Sequence, residues 1–73
     1  MSIAEDGFST AVERTVSILE AVAQRDGMTN SQISRKLGIP KSSASYILRT
    51  LERRGYVRRD EKSGEYQIGR AHV

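Results

Sequence analysis

Apolar positions fall into three stretches of helical spacing followed by a tail of alternating ones. At about 100° per residue, Val12, Thr15, Val16, Ile18, Leu19, Val22 and Ala23 share one arc of roughly 160°. Glu13, Ser17, Glu20 and Gln24 fill the opposite side. Thr10-Ala-Val-Glu13 fits a capping box, so the first helix is expected to run from there to Arg25, with Asp26-Gly27 offering a left-handed cap. A second capping box, Thr29-Asn-Ser-Gln32, predicts a short helix that turns Ile33 and Leu37 inward and stops at Gly38. Pro40 then opens a third helix, its φ already near the helical value, that reaches about Arg54. Its apolar residues Ile47, Leu51, Ala44 and Leu48 cluster within about 100° of arc. Gly55 is the stop, Tyr56 is placed to pack back as in a Schellman motif, and Arg53 and Arg54 suit the negative end of the helix dipole.

Beyond Gly55 the period changes from helical to two. Tyr56–Arg59 and Glu65–Ile68 alternate on either side of Asp60–Gly64, which reads as a hairpin turned at Gly64. In that register Val57, Tyr66 and Ile68 face inward, while Arg58, Lys62 and Gln67 face outward. Residues 1–8 show no period and read as a flexible arm, and residues 70–73 read as a tail. The fold class is therefore α+β and mostly helical: a winged helix-turn-helix of three helices plus a C-terminal β-hairpin wing. The domain spans residues 9–69, with the helix-turn-helix at 30–54 and the wing at 56–69.

Composition narrows the function classes. Seventy-three residues make one small domain, too short to enclose a usual substrate pocket, so an enzyme is not expected. The absence of cysteine excludes disulfides, thiolate metal sites and a thiol nucleophile. The single histidine, His72, lies in the tail, so neither a metal site nor a cofactor is expected. Nine serines are present, none in a nucleophile motif, and the adjacent Asp60 and Glu61 point apart in a strand. The longest apolar runs are three residues, and nothing resembles a signal peptide, so no membrane partner is expected. The charge of +3 is unevenly placed: residues 1–34 hold two bases and five acids, residues 35–73 ten bases and four acids. This polarity points to a polyanion on the C-terminal half, nucleic acid ahead of a membrane surface, with a merely solvated surface as the competing reading.

The third helix carries the sharpest chemistry. Opposite its apolar arc, Arg49, Ser42, Arg53 and Tyr46 lie within about 60° of one another, flanked by Ser45 on one side and by Ser43 and Thr50 on the other. Hydroxyls and helix N-terminal amides suit phosphate oxygens, and guanidinium suits guanine or phosphate. An ordinary solvent face would mix Glu with Lys, and this one has neither at its centre. Lys41, in the first turn, opposes the helix dipole unless a phosphate sits there. In the hairpin, Arg58, Arg59 and Lys62 are expected to follow the backbone or dip into the minor groove, with local pairing to Asp60, Glu61 and Glu65 as competitor. The last-turn cations Arg35 and Lys36 are explained by the helix dipole. The predicted DNA contacts are thus Lys41, Ser42, Ser43, Ser45, Tyr46, Arg49, Arg53, Arg58, Arg59 and Lys62. The alternative is a winged helix whose basic face binds an acidic protein partner.

Four collinear blocks carry a family resemblance: Val12-Glu-Arg-Thr-Val-Ser-Ile-Leu-Glu20, Asn30-Ser-Gln-Ile-Ser-Arg-Lys-Leu-Gly-Ile-Pro-Lys-Ser-Ser43, Leu51-Glu-Arg-Arg-Gly-Tyr-Val57 and Tyr66-Gln-Ile-Gly69. Together they resemble the N-terminal DNA-binding domain of IclR-type transcriptional regulators. The resemblance implies a prokaryotic, cytoplasmic, nucleoid-associated regulator, in the manner of a repressor, that binds a palindromic double-stranded operator as a homodimer. Such proteins commonly place an Arg midway along the recognition helix after a β-branched residue and an aromatic. Here Ala44, Ser45 and Tyr46 stand in those places, so that contact does not transfer to Tyr46, and Arg49 is the substitute. The resemblance implies a following effector-binding domain, which this chain, as far as Val73, is expected to lack. The chain is accordingly expected to be an isolated DNA-binding piece or a stand-alone relative. The arm with Phe8 and the wide apolar arc of the first helix are the candidate dimer surfaces.

Overall fold

In a computed structural model, which describes residues 4–25 and 27–69 with side chains from Thr10 onward, the elements follow the chain in a simple order. They are α1 (Ala4–Arg25), β1 (Met28–Thr29), α2 (Asn30–Leu37), α3 (Lys41–Arg53), β2 (Val57–Arg59) and β3 (Glu65–Ile68). Three helices and a small antiparallel sheet make the winged helix-turn-helix the sequence predicts.

Helix α2 and its turn form for local reasons. The Thr29 hydroxyl accepts from the Gln32 amide at 3.1 Å, and the Gln32 side chain accepts from the Thr29 amide at 2.9 Å, which completes the capping box. Gly38 ends the helix at φ +66° and ψ +34°, a conformation that costs other residues about 1 kcal/mol or more. Ser34 clamps the turn from both ends: its carbonyl accepts from the Ile39 amide at 3.1 Å and its hydroxyl donates to the Ile39 carbonyl at 2.6 Å. Pro40 is the N-cap of α3 rather than its first residue, with φ −57° and ψ 140°. At the far end, Gly55 and Tyr56 donate to the Glu52 and Leu51 carbonyls at 3.0 and 2.9 Å, the bond pair of a Schellman motif. Tyr56 does not pack back as expected: it is 57 % exposed, because the chain leaves α3 directly into the wing.

Helix α1 departs from the sequence reading at both ends. It begins at Ala4, so residues 4–8 of the expected arm continue the helix, and Thr10 lies inside it rather than capping it. Helix growth is cooperative. Once the stretch up to Arg25 is helical, each preceding residue needs only propagation, and no proline stops it. Residues 1–3, the Phe8 side chain and the tail 70–73 lie outside the described residues. At the other end Gly27 takes φ +127°, positive but away from the expected left-handed helical cap.

The sheet holds a strand the sequence did not announce. Its order is β1-β3-β2, with Met28 opposite Tyr66 and Val57 opposite Ile68. Val57 and Tyr66 are buried as expected, but Ile68, on the same face, is 40 % exposed at the end of the strand. The core gathers Ile18, Ala21 and Val22 of α1, Ile33, Ile39, Ala44, Leu48 and Leu51 of the helix-turn-helix, and Met28, Val57 and Tyr66 of the sheet. Leu19, Leu37 and Ile47 are partly buried against it. Every element thus contributes to one core, and α3 packs its inner face against it.

Candidate nucleic-acid interface

Because Ala44 and Leu48 are fully buried and Leu51 nearly so, helical geometry turns Ser42, Tyr46, Arg49 and Arg53 out as a ridge. All four are exposed, Tyr46 to 73 %. No acid occupies the first turn of α2 or α3, so the positive ends of both helix dipoles are left uncompensated. Lys41 adds its ammonium at the start of α3 and is exposed.

The two flanks of α3 differ. On the side of α2 and the wing lies an open concavity of about 560 Å³ lined by Asn30, Ser31, Lys41, Arg49, Arg59 and Gly64, among others. It brings Lys41 and Arg49 of the predicted set together with Arg59 of the wing. On the side of α1, Arg14, Ser43, Tyr46, Ile47 and Leu51 help line a second open groove of about 450 Å³. Here Arg14 Nη1 donates to Ser43 Oγ at 3.5 Å. Ser43 and Ser45 are half-buried rather than on the ridge, and Ser45 Oγ accepts from Asn30 Nδ2 at 2.6 Å. Thr50 turns its hydroxyl back onto the Tyr46 carbonyl at 3.0 Å.

The wing residues do not act as one group. Arg59 pairs with Tyr66 and therefore shares its face, whereas Arg58 pairs with Gln67 on the opposite face. Lys62 is exposed in the turn, where its backbone amide donates to Asp60 Oδ1 at 3.0 Å. Gly64 closes that turn by donating to the Asp60 carbonyl at 2.7 Å. The local salt pairs that competed with a DNA role do not form. Among the described residues Arg49, Arg53, Arg58, Arg59 and Lys62 make no ion pair.

Two residues at the interface were not singled out from the sequence. Asn30 reads there as the unremarked second member of a capping box, and its partner Ser45 lies fifteen residues away. Arg14 reads as part of the first helix, and only the packing of α1 beside α3 brings it to Ser43.

A glycine-turned helix pair, an exposed cationic ridge on the second helix and a basic hairpin beside it define a winged helix-turn-helix of the DNA-binding class. The chain belongs to the IclR helix-turn-helix domain family, whose model matches residues 11–61, and so to the DNA-binding domains of transcriptional regulators. It is 40 % identical over 62 residues to the glycerol operon regulatory protein of Streptomyces coelicolor, covering 81 % of this chain and 24 % of that protein. The protein of that name from Streptomyces griseus is 37 % identical over the same length and the same shares. Among solved structures, an IclR transcriptional regulator from Alicyclobacillus acidocaldarius superposes with a TM-score of 0.78 at 28 % identity, covering 84 % of this chain and 25 % of that one. An IclR family regulator from Brucella abortus gives 0.75 at 36 % identity, covering 82 % and 24 %. The chain thus spans about a quarter of the length of these relatives. Among the described residues, no helix is long and apolar enough to cross a membrane.

Proposed function

We propose that α3 enters the major groove with Ser42, Tyr46, Arg49 and Arg53 toward the DNA, Lys41 at a phosphate, and the wing along the backbone through Arg59 and Lys62. Arg58 reaches only the outer side of the wing. The observation that carries this reading is the ridge itself: cations without ion-pair partners among the described residues stand exposed on a helix anchored from behind. The proposed setting is a prokaryotic cytoplasm, where the protein regulates transcription from an operator with two-fold symmetry.

A salt series with random-sequence duplex DNA tests the reading. The logarithm of affinity is expected to fall linearly with the logarithm of salt, by roughly 0.9 for each phosphate neutralised. Lys62→Ala is expected to weaken all sequences alike and to lower that slope by about 1. Absence of retardation even at low salt would instead favour a protein partner for the basic face.

The second half of the proposal is a homodimer. Val12, Val16, Leu19 and Ala23 follow one another at spacings of four, three and four, the seam pattern of a helix that pairs with another. Val12 is 60 % and Val16 46 % exposed, well off the side of α1 that meets the core. Pairing two copies along this seam would place two recognition helices for half-sites about one helical turn, or a multiple of it, apart. Val16→Asp is expected to sediment as a monomer and to lose affinity for a two-half-site duplex while binding one half-site as before. A dimer that survives the substitution unchanged would remove α1 as the interface.

A further inference from the structure

The half-buried serine on the wing side of α3 has a hydroxyl whose direction is set from another helix. Asn30 Nδ2 donates to Ser45 Oγ at 2.6 Å, so the oxygen is used as an acceptor and the hydroxyl proton remains for another partner. Helical Ser and Thr commonly turn that proton back onto the carbonyl four residues earlier. Thr15 and Thr50 do so, at 2.8 and 3.0 Å. Ser45 does not, and among the described residues it donates no hydrogen bond. Asn30 Oδ1 is buried without a hydrogen-bond partner among the described residues. An unpaired buried acceptor costs stability, so folding alone does not account for an asparagine at this position.

We infer that Asn30 is a positioning residue for DNA binding: it holds Ser45 as an outward hydrogen-bond donor, which engages a phosphate oxygen at the edge of the major groove. The chemistry follows from the direction of the proton. A hydroxyl that only donates suits an acceptor, and phosphate oxygens only accept. The place follows from the helix: Ser45 lies on the flank of α3, roughly 70° around from the ridge centre, and in a groove about 12 Å wide the flanks meet the backbone while the ridge meets base edges. Its partner Asn30 lines the concavity in which Lys41, Arg49 and Arg59 gather beside Glu52. This inference rests on the DNA-binding reading of the preceding subsection.

The test is a double-mutant cycle on binding to a random-sequence 30-base-pair duplex at low salt, where base readout does not contribute. Asn30→Asp keeps the shape but cannot donate, and its carboxylate accepts the Ser45 proton and turns the hydroxyl inward. Its added negative charge repels DNA whether or not Ser45 is present, so the Ser45→Ala background subtracts that effect. Asn30→Asp is expected to cost about five- to tenfold more affinity with Ser45 in place than in the Ser45→Ala background. Equal costs in both backgrounds would overturn the inference. Asn30→Ala supplies the second readout: a weaker complex with a melting temperature unchanged or raised, because the unpaired acceptor leaves with the amide. Parallel loss of affinity and melting temperature would mean a structural role only. Failure of the unsubstituted protein to bind the duplex at all would instead strike the functional reading itself.

Discussion

Leu48→Ala is expected to cost the domain about 2–5 kcal/mol, the range for removing a fully buried leucine from a core that cannot close over the gap. Leu48 has no exposed surface and sits on the inner face of α3, in a core to which all three helices and all three strands contribute. A domain of this size commonly has only about 4–11 kcal/mol of stability, so the loss is a large share of the whole. In domains this small each kcal/mol moves the melting temperature by roughly 4–8 °C, so a fall of at least about 8 °C is expected in a circular dichroism melt. DNA affinity at temperatures where the variant remains folded is expected to change little, since Leu48 lies behind the ridge. A variant that melts like the parent would show that α3 is held by its flanks rather than from behind.

The sequence made the helix-turn-helix legible because its signals are local. Thr29 and Gln32 lie three residues apart and bond each other, Gly38 needs only its own φ, and the Schellman bonds of Gly55 and Tyr56 close within one turn. The ridge of α3 follows from the same logic, since placing Ala44, Leu48 and Leu51 inward turns Ser42, Tyr46, Arg49 and Arg53 outward. Features that depend on distant partners were hidden. Strand β1 is two residues long, too short to show a period, and exists because Met28 and Thr29 meet Tyr66 and Glu65. The start of α1 was placed late because Thr10 and Glu13 have capping spacing, while the cooperativity that carries the helix past them leaves no mark in the sequence. Ser43 and Ser45 read as ridge neighbours, yet Arg14 and Asn30, from two other helices, hold them on the flanks. Strand alternation did turn Arg58 outward with Gln67, and the register agrees, pairing Arg58 with Gln67 and Arg59 with Tyr66.

Arg49→Ala is expected to erase preference at one base position and to weaken binding to duplexes selected from a random pool by about 5- to 150-fold, the worth of one bidentate base contact. Arg49 is the ridge cation nearest the middle of α3, exposed, and beside Lys41 and Arg59 in the wing-side concavity. Among the described residues it makes no ion pair, so no internal interaction is lost when it is removed and the melting temperature is expected to hold. Arg49→Lys separates charge from geometry. A lysine keeps the attraction to phosphate but lacks the planar fork that matches guanine O6 and N7. It is therefore expected to recover binding to random-sequence DNA without recovering the base preference. The contrast with Lys62→Ala gives the pair its force, since a wing cation on the backbone weakens every sequence alike and changes the salt slope. Were Arg49→Ala to weaken all sequences equally while Lys62→Ala shifted the selected bases, the helix and the wing would have exchanged the parts assigned to them here.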